Sequence, residues 1–569
     1  MKTAKRVLEY IKNYRIYIVI SLLTALISVA GTLYIPVLAG DAIDLIAQRN
    51  FGGIGKILTA AAIVTAISAL ATWIMNICNN RLTYSVARDL RRDIFLKLGR
   101  LPVSYTDTKK TGETVSLATA DTETVADGLL MGFTQFFTGV LTILGTLGFM
   151  LAINAKIAAA VVILTPLSLF VSKFIASKTY NMFRKQSEVR AQQTGLIDEY
   201  ITNYKIIKAF NAEEKVIGKF DKVNYELKGY SFKAMFFSSL TNPSTRFINA
   251  VVYASVALIG ALSVIGGGGL TVGGLTCLLS YANQYTKPFN EISGVVTELQ
   301  GAVASAARVF ELLDETEESN ETAELAPAEG NIEFKDVKFS YIPERPLIDS
   351  FNLSVKKGQT IAIVGPTGCG KTTLINLIMR FYDVCSGSIS VDGTDIKTVS
   401  RESLRRNFGM VLQDTWLKSG TIKDNIKMAK PDATDDEIIN AAKASHAHSF
   451  IKRMENGYDT YIGEDGGGLS AGQRQLLCIT RVMLLNPNIL ILDEATSSID
   501  THTEVRIQKA FDRLTNGRTA FIVAHRLSTI QNADVILVMK DGHIIEQGKH
   551  EELLEKGGFY HKLYMSRIA

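Results

Sequence analysis

The sequence predicts an all-α membrane domain of six transmembrane helices with long cytoplasmic extensions, fused to an α/β domain over residues 331–569. Three observations predict it. Apolar residues gather in the first 300 positions, in runs long enough to cross a bilayer, for which about 20 residues are needed. Basic residues crowd alternate connections between those runs. After an acidic stretch, 312–330, the texture changes to short β-branched segments alternating with helical ones.

The composition agrees. Of 569 residues, 47% are hydrophobic and 21% charged, and mean hydropathy is +0.15. Those values exclude a disordered chain and argue against a fully soluble enzyme. Lys and Arg number 61 against 56 Asp and Glu, so the net charge of +5 is too small to suggest a nucleic-acid partner. Cys78, Cys277, Cys369, Cys385 and Cys478 form no CxxC pair, which implies neither a disulfide framework nor a zinc site.

The expected spans, in order, are 16–38, 57–77, 129–153, 157–175, 237–265 and 270–285. A turn near Asn154-Ala155-Lys156 divides the third from the fourth, and Gly266-Gly267-Gly268-Gly269 divides the last two. The first run is too long for the apolar part of a cleavable signal peptide. Lys2, Lys5, Arg6, Lys12 and Arg15 precede the first span. Arg81, Arg88, Arg91, Arg92, Lys97 and Arg100 follow the second, and Lys178, Arg184, Lys185 and Arg190 follow the fourth. The positive-inside rule then places both termini and the α/β domain in the cytoplasm of a multi-pass protein of the cytoplasmic membrane. The two basic connections are helically patterned and would reach some 40 Å from the membrane. Their coupling tips are expected near 111–120 and 203–211. The membrane domain is read as 1–311, the linker as 312–330 and the soluble domain as 331–569.

In the soluble part, Gly365-Pro366-Thr367-Gly368-Cys369-Gly370-Lys371-Thr372 follows the strand-like TIAIV and opens a helix-like run. This GxxxxGK[ST] in a strand–loop–helix setting is a P-loop. Its glycines let backbone N–H groups wrap phosphates, and the helix start adds positive potential. Lys371 would reach the β- and γ-phosphates of ATP, and the Thr372 hydroxyl would ligate Mg²⁺; Thr373 adjoins them in the nucleotide set. Cys369, inside the loop, is expected to make activity sensitive to thiol reagents, with ATP protecting. The apolar Ile489–Leu492 run ends in Asp493-Glu494. Strands of a parallel sheet present ligands at their C-terminal ends. Asp493 suits Mg²⁺, and Glu494 is placed to orient or deprotonate the attacking water. The second domain is therefore an α/β P-loop nucleotide-binding domain.

Between these motifs stands Leu469-Ser470-Ala471-Gly472-Gln473. It resembles the LSGGQ signature of ATP-binding cassette (ABC) transporters, with Ala471 at the first Gly. Further elements fall in family order. Tyr341 resembles the aromatic residue that stacks on adenine, and Gln413 the Q-loop residue, a catalytic and Mg²⁺-side group. The 461–466 segment YIGEDG resembles the exporter X-loop, the 497–500 segment ending in Asp500 the D-loop, and His525 the switch histidine at the γ-phosphate. The resemblance covers essentially the whole chain, which looks like a bacterial ABC exporter half-transporter of the type I exporter (type IV) arrangement. It implies an ATPase in which Ser470, Gly472 and Gln473 cap the ATP of a second half-transporter.

QRQLLCITR and YANQYTKPFNEIS resemble the Glu-bearing subunit of heterodimeric multidrug exporters, so the resemblance favours a heterodimer with one degenerate ATP site. The alternative is a homodimeric lipid or drug flippase with two active sites. An ATP-gated channel or sensor subunit, from another functional class, would share the same motifs. The expected cargo is a small amphipathic substrate (drug, lipid or peptide) moving against membrane lipid. Asn242, Arg246, Asn249, Tyr253, Asn283 and Gln284 are the polar candidates to face it.

Overall fold

The computed structural model describes all residues except 1, 268, 320, 413–414, 464–465, 494–499, 524–529 and 569. The chain divides into two compact units. One comprises Met1–Arg100 and Lys110–Thr316; the other comprises Leu101–Lys109 and Glu317–Ala569.

The first unit is helical. A short amphipathic helix, Lys2–Lys12, precedes Arg15–Ala47, Ile54–Leu98, a long helix over Thr111–Ile153, then Ala155–Leu164, Pro166–Thr202, Tyr204–Ala209, Glu213–Ser239, Thr241–Ile265 and Val272–Asp314. Among the described residues, four helices are long and apolar enough to cross a membrane: Arg15–Ala47, Phe51–Leu98, Thr111–Ile153 and Glu213–Ile265. They carry the expected first, second, third and fifth spans. The fourth falls on Ala155–Leu164 and Pro166–Thr202, separated at Thr165 ahead of the proline. The sixth falls on Val272–Asp314, where Asn283, Gln284, Lys287 and Glu291 dilute the apolar run.

The packing of this unit is that of a protein dissolved in lipid. Small and polar groups meet between helices beside a cluster of buried apolar ones, and many large apolar side chains face outward. Ser21, Ala25, Ser68 and Ala71 are buried, whereas Ile16, Leu23, Ile63 and Trp73 are exposed. Along the same seam the Ser21 hydroxyl donates to Asn79 Oδ1 at 2.6 Å, and Ser28 and Thr72 share a hydrogen bond of 2.7 Å. Tyr10 and Tyr14 continue it, donating to Asp93 and Asp89. Gly40 and Gly273 permit a backbone contact, since a Cβ on Gly273 would lie 2.0 Å from the Gly40 carbonyl oxygen. There the Gly273 N–H donates to Asp44 Oδ1 at 2.7 Å.

Two π turns interrupt the α-helical ladder of Thr111–Ile153, at Leu117–Asp121 and Gly132–Phe136. In the first, the Thr122 hydroxyl donates to the Leu117 carbonyl five residues back. The helix ends at Asn154, whose extended backbone breaks the ladder and whose side chain caps the next helix by accepting from Lys156 N and Ile157 N. The expected coupling tip near 111–120 lies within this helix. The chain turns earlier, around Gly99–Pro102, and the helix Val103–Thr108 belongs to the second unit. The 203–211 segment is a single short helix, Tyr204–Ala209, followed by Asn211 at φ 47°.

The second unit holds two main sheets. The strands are β1 (Ile332–Phe339), β2 (Ile348–Val355), β3 (Thr360–Val364), β4 (Ser386–Val391), β5 (Thr394–Asp395), β6 (Phe408–Val411), β7 (Gly420–Thr421), β8 (Tyr461–Ile462), β9 (Ile489–Asp493), β10 (Thr519–Val523), β11 (Val535–Lys540) and β12 (His543–Gly548). An antiparallel sheet has the order β2-β1-β4-β5, and the larger sheet β12-β11-β3-β10-β9-β6. In the larger sheet all neighbours run parallel except the edge strand β12. Its central strands are buried on both faces, which is why TIAIV, ILILD and TAFIV read as unbroken apolar runs.

The helix Val272–Asp314 runs three residues into the expected linker, and the remainder is strapped to the second unit. The buried Arg380 donates to the Ile396 and Val399 carbonyls and to Asp383, and pairs with Glu321 at 3.5 Å. Arg401 binds Asp383 at 2.7 Å and pairs with Glu318 at 3.6 Å. Burial pushes the Asp383 carboxyl up, but the two guanidiniums outweigh it and hold it below the usual carboxylate range.

Candidate nucleotide site

The site begins where β3 ends. The loop from Gly365 to Gly370 leads straight into the helix Lys371–Ile378. Gly370 is the residue before that helix, at φ 100°, and Gly368 stands at φ +82°. Both lie in the left-handed region that a side chain would strain. No side chain caps this helix start. A Cβ on Gly365 would fall 2.3 Å from the Met539 carbonyl oxygen, and the Gly542 N–H donates to the Cys369 carbonyl, so the loop is seated on the β11–β12 connection. Lys371 Nζ curls back over the loop and donates to the Gly365 and Pro366 carbonyls at 3.0 and 2.9 Å. Its charge is thus held over the concave side of the loop, where a phosphate chain would exchange with those carbonyls.

The predicted loop residues take different positions. Pro366, Thr367, Gly368 and Thr372 are exposed. Thr373 is buried, and its hydroxyl accepts from the Tyr341 hydroxyl at 3.2 Å. Asn376, one turn further along, donates to the Tyr341 oxygen at 3.2 Å. Cys369 is only 3% exposed, with its sulfur beneath the loop. The expected inhibition by thiol reagents needs an accessible Cys369, and the structure buries this thiol.

Tyr341 stands beside the P-loop helix with a large part of its ring exposed. Phe339 and Tyr382 meet it edge-on, at ring-centre distances of 4.8 and 4.9 Å. An exposed phenol ring held at its hydroxyl and its edges offers a flat face for a base.

The sheet order explains how distant motifs meet. β10 lies beside β3, β9 beside β10, and β6 beside β9, all parallel. Val364, Val523, Asp493 and Val411 close these strands on one edge of the sheet. Asp493 ends β9 half-buried after four buried apolar residues. Gln413, Glu494 and His525 follow β6, β9 and β10 in sequence, and lie outside the described residues, as do 464–465 of the X-loop segment and 497–499 before Asp500.

The signature segment forms a second helix start. Ser470 caps the helix Ala471–Leu485 in a capping box: its Oγ accepts from Gln473 N at 3.3 Å, and Gln473 Oε1 accepts from Ser470 N at 3.0 Å. Gly472 is buried and Ser470 exposed. Ala471 is the first helical residue, so its Cβ sits on ordinary helical backbone. Asp500 caps Thr501–Thr515 by accepting from Thr503 N at 2.9 Å, and that backbone bond, with the Thr503 hydroxyl, holds its carboxyl below the ordinary value.

Sequence reasoning missed Asn376, Tyr382 and the second role of Lys371. Asn376 had a usable signal, lying three residues beyond Thr373 on one helix face. Tyr382 had none, because its partners are remote in sequence.

Residues 18–289 match the ABC transporter transmembrane region, and residues 348–497 match the ABC transporter family. The chain is 41% identical over 515 residues to the fatty acid ABC transporter ATP-binding/permease protein of Mycobacterium bovis, covering 90% of this chain and 82% of that protein. It is 38% identical over 487 residues to an ATP-dependent lipid A-core flippase of Desulfotalea psychrophila, covering 85% of each. Among solved structures, a bacterial Atm1-family ABC exporter with ATP bound superposes with a TM-score of 0.80 at 28% identity, over 98% of both chains.

Proposed function

The chain belongs to the ABC transporter family as a membrane-embedded exporter half that couples ATP hydrolysis to transport, and from that premise we propose that it moves a lipid-like amphipath. Two relatives are named for fatty acids and for lipid A-core, which supports lipid-like cargo over peptide. The exposed Arg246, on Thr241–Ile265, supplies a cation for an anionic head group. The basic connections between spans support a cytoplasmic nucleotide-binding domain and export away from it.

The observation that carries the chemistry is the shared sheet edge where β3, which leads into the P-loop, and β9, which ends in Asp493, finish on either side of β10. The exposed Thr372 hydroxyl and the Asp493 carboxylate are hard oxygen donors that fit Mg²⁺, with Gln413 the third expected ligand. When bound, Mg²⁺ would neutralise phosphate charge. Lys371 leaves its two carbonyls for the β- and γ-phosphates, Tyr341 takes the adenine, and Glu494 aligns the attacking water while His525 contacts the γ-phosphate. Ser470, Gly472 and Gln473 present a helix start to the nucleotide held by the partner, with Asp500 at the same junction. ATP then joins two domains, and hydrolysis releases them, so switching is a population shift driven by differential affinity for the closed pair.

The working unit is a dimer. The substituted signature favours a heterodimer with one degenerate site. The intact capping box and helical Ala471 favour the second reading, a homodimer with two active sites. Purification of this chain alone, with its oligomeric mass and its Mg-ATPase measured beside Glu494→Gln, separates them. A stable dimer with Glu494-dependent turnover establishes the homodimer. A monomer or an inactive dimer establishes the need for a second half-transporter. Glu494→Gln should keep ATP binding and abolish cargo movement; sustained flux by that variant would replace the exporter with an ATP-gated channel.

A further inference from the structure

Three helices of the nucleotide-binding unit end around one cleft: Asp435–Ala444, Ala471–Leu485 and Thr501–Thr515. The cleft has a volume of about 420 Å³, inside the range of small-molecule pockets. Its floor is apolar, with Ala441, Met483, Leu484 and Leu514. Its rim carries two amides, Asn440 and Asn486, and two guanidiniums, Arg513 and Arg518. Asn486, at φ 54°, ends the helix that Ser470 begins. The cleft therefore lies at the far end of a 15-residue helix, roughly 22 Å from the signature start.

Positive charge gathers there in excess. Arg506, Lys509 and Arg513 stand three and four residues apart, on one face of Thr501–Thr515. They converge on His446, whose imidazole is held below its ordinary value by burial first and then by Arg513, Lys509 and Arg506. Arg518 donates to the Leu514 carbonyl at 2.5 Å and to Asn486 Oδ1 at 2.6 Å, while Arg513 reaches the Ala444 carbonyl only at 3.5 Å. The Leu514 and Ala444 carbonyls close two helices, and a helix end supplies only roughly half an elementary charge. Among the described residues, Glu437 is the one carboxylate on the cleft, and Lys430 Nζ already holds it at 2.6 Å. Among the same residues, none of the four cations has an ion-pair partner. Like charges gathered at a concave surface focus their field on an incoming anion.

We propose that this cleft binds a soluble phosphate monoester with a flat apolar body, separately from the nucleotide site. The guanidiniums of Arg513 and Arg518 take the phosphate, as forked donors that match its oxygens. A dianion suits them better than a carboxylate, because Arg506 and Lys509 add charge behind them. Met483, Leu484 and Leu514 take the body, and the Asn440 and Asn486 amides meet its polar edge.

The probe is phenyl phosphate, followed by saturation-transfer NMR of its ring protons against the full chain in phosphatidylcholine nanodiscs, with empty nanodiscs as the blank. Its Kd should lie below about 1 mM. Arg513→Ala should weaken binding about tenfold or more, the loss of one charged hydrogen bond. Its melting temperature should stay close to the parent's, because the bond that Arg513 makes to Ala444 is long. Arg518→Lys, which keeps the charge and the fold but not the fork, should also weaken the probe. Lys371→Ala should leave the Kd unchanged, since the P-loop takes no part. Inorganic phosphate should displace the probe only at about tenfold higher concentration, because it leaves the apolar floor bare. No binding, or a Kd indifferent to both arginine variants, would leave these arginines as caps of helix ends and overturn the proposal. A Kd that follows Lys371→Ala would assign the probe to the P-loop and overturn it as well. Equal displacement by inorganic phosphate would remove the apolar body. A Kd that rises when phosphatidylglycerol is added to the nanodisc would make a lipid headgroup the occupant in place of a soluble ester. Either result overturns the ligand class named here.

Discussion

Two helices in the nucleotide-binding unit begin close to chemistry, and they begin in opposite ways. Lys371–Ile378 starts after Gly370 at φ 100°, with no side-chain cap, and its first lysine folds back onto the loop carbonyls. Ala471–Leu485 starts after Ser470 with both partners of a capping box engaged. Each helix start carries partial positive charge. The first leaves its backbone donors for a ligand. The second has engaged its Ser470 and Gln473 N–H groups in the capping box and offers outward the serine hydroxyl proton and the field of the helix. The contrast teaches that one site is built to hold a phosphate chain by itself, whereas the other is a stable surface that gains a ligand only when one is brought to it.

The largest effect should come from the open start. Lys371→Ala should lower ATPase by about 100- to 1000-fold, the cost of losing one charged donor at a developing phosphate charge. A residual rate within tenfold of the parent would mean that the lysine is only a brace for the loop. Gly370→Ala should follow. A Cβ at that φ costs about 1–3 kcal/mol in backbone strain, so both thermal stability and ATP affinity should fall. Unchanged affinity in a destabilised variant would mean that the left-handed turn serves folding alone.

The closed start is sharpened by a pair of substitutions. Ser470→Thr keeps cap and hydroxyl and should keep stability and turnover. Ser470→Asp keeps the cap but brings a negative charge without a proton, so stability should hold while ATPase collapses. Ser470→Ala should cost about 1 kcal/mol of stability, from the lost cap. If Ser470→Asp retains turnover in the assembled transporter, the signature start does not meet phosphate. The smallest effect belongs to Ala471→Gly. It should lower stability by up to about 1 kcal/mol through helix propensity. A simultaneous rise in ATPase would identify the methyl group as an obstacle to the partner's nucleotide, and no rise would favour two working sites.

Legibility in the sequence followed the range of the interaction that fixed each feature. Long apolar runs announce spans because a bilayer demands them, and Asn154 announces a break because a short side chain can cap the helix after it. The P-loop and its strand were readable because a tight turn needs glycine at stated places. The expected tip near 111–120 falls on helix because the first turn of a helix tolerates glycine, as at Gly112, and Pro102 marks the start of the short helix within the connection. The linker looked slack because it is acidic and polar, yet its carboxylates are complements to Arg380 and Arg401, which lie 59 or more residues away. Tyr382 was invisible for the same reason, since its hydroxyl partner is 275 residues distant. Ala471 was legible as a departure from a motif but not in its effect, which depends on the helical backbone it occupies.

The two π turns in Thr111–Ile153 change how that helix can be edited. Each behaves as one surplus residue absorbed locally, leaving the α-helical stretches on either side in phase. Deleting a residue elsewhere in a membrane helix rotates everything beyond it by about 100° and turns lipid-facing side chains inward. Deleting Ala118 or Thr134 would instead convert a wide turn to an ordinary one and leave both flanking faces where they were. Length variation in this helix therefore has two natural points of entry, and a chain shortened at either should still insert and assemble.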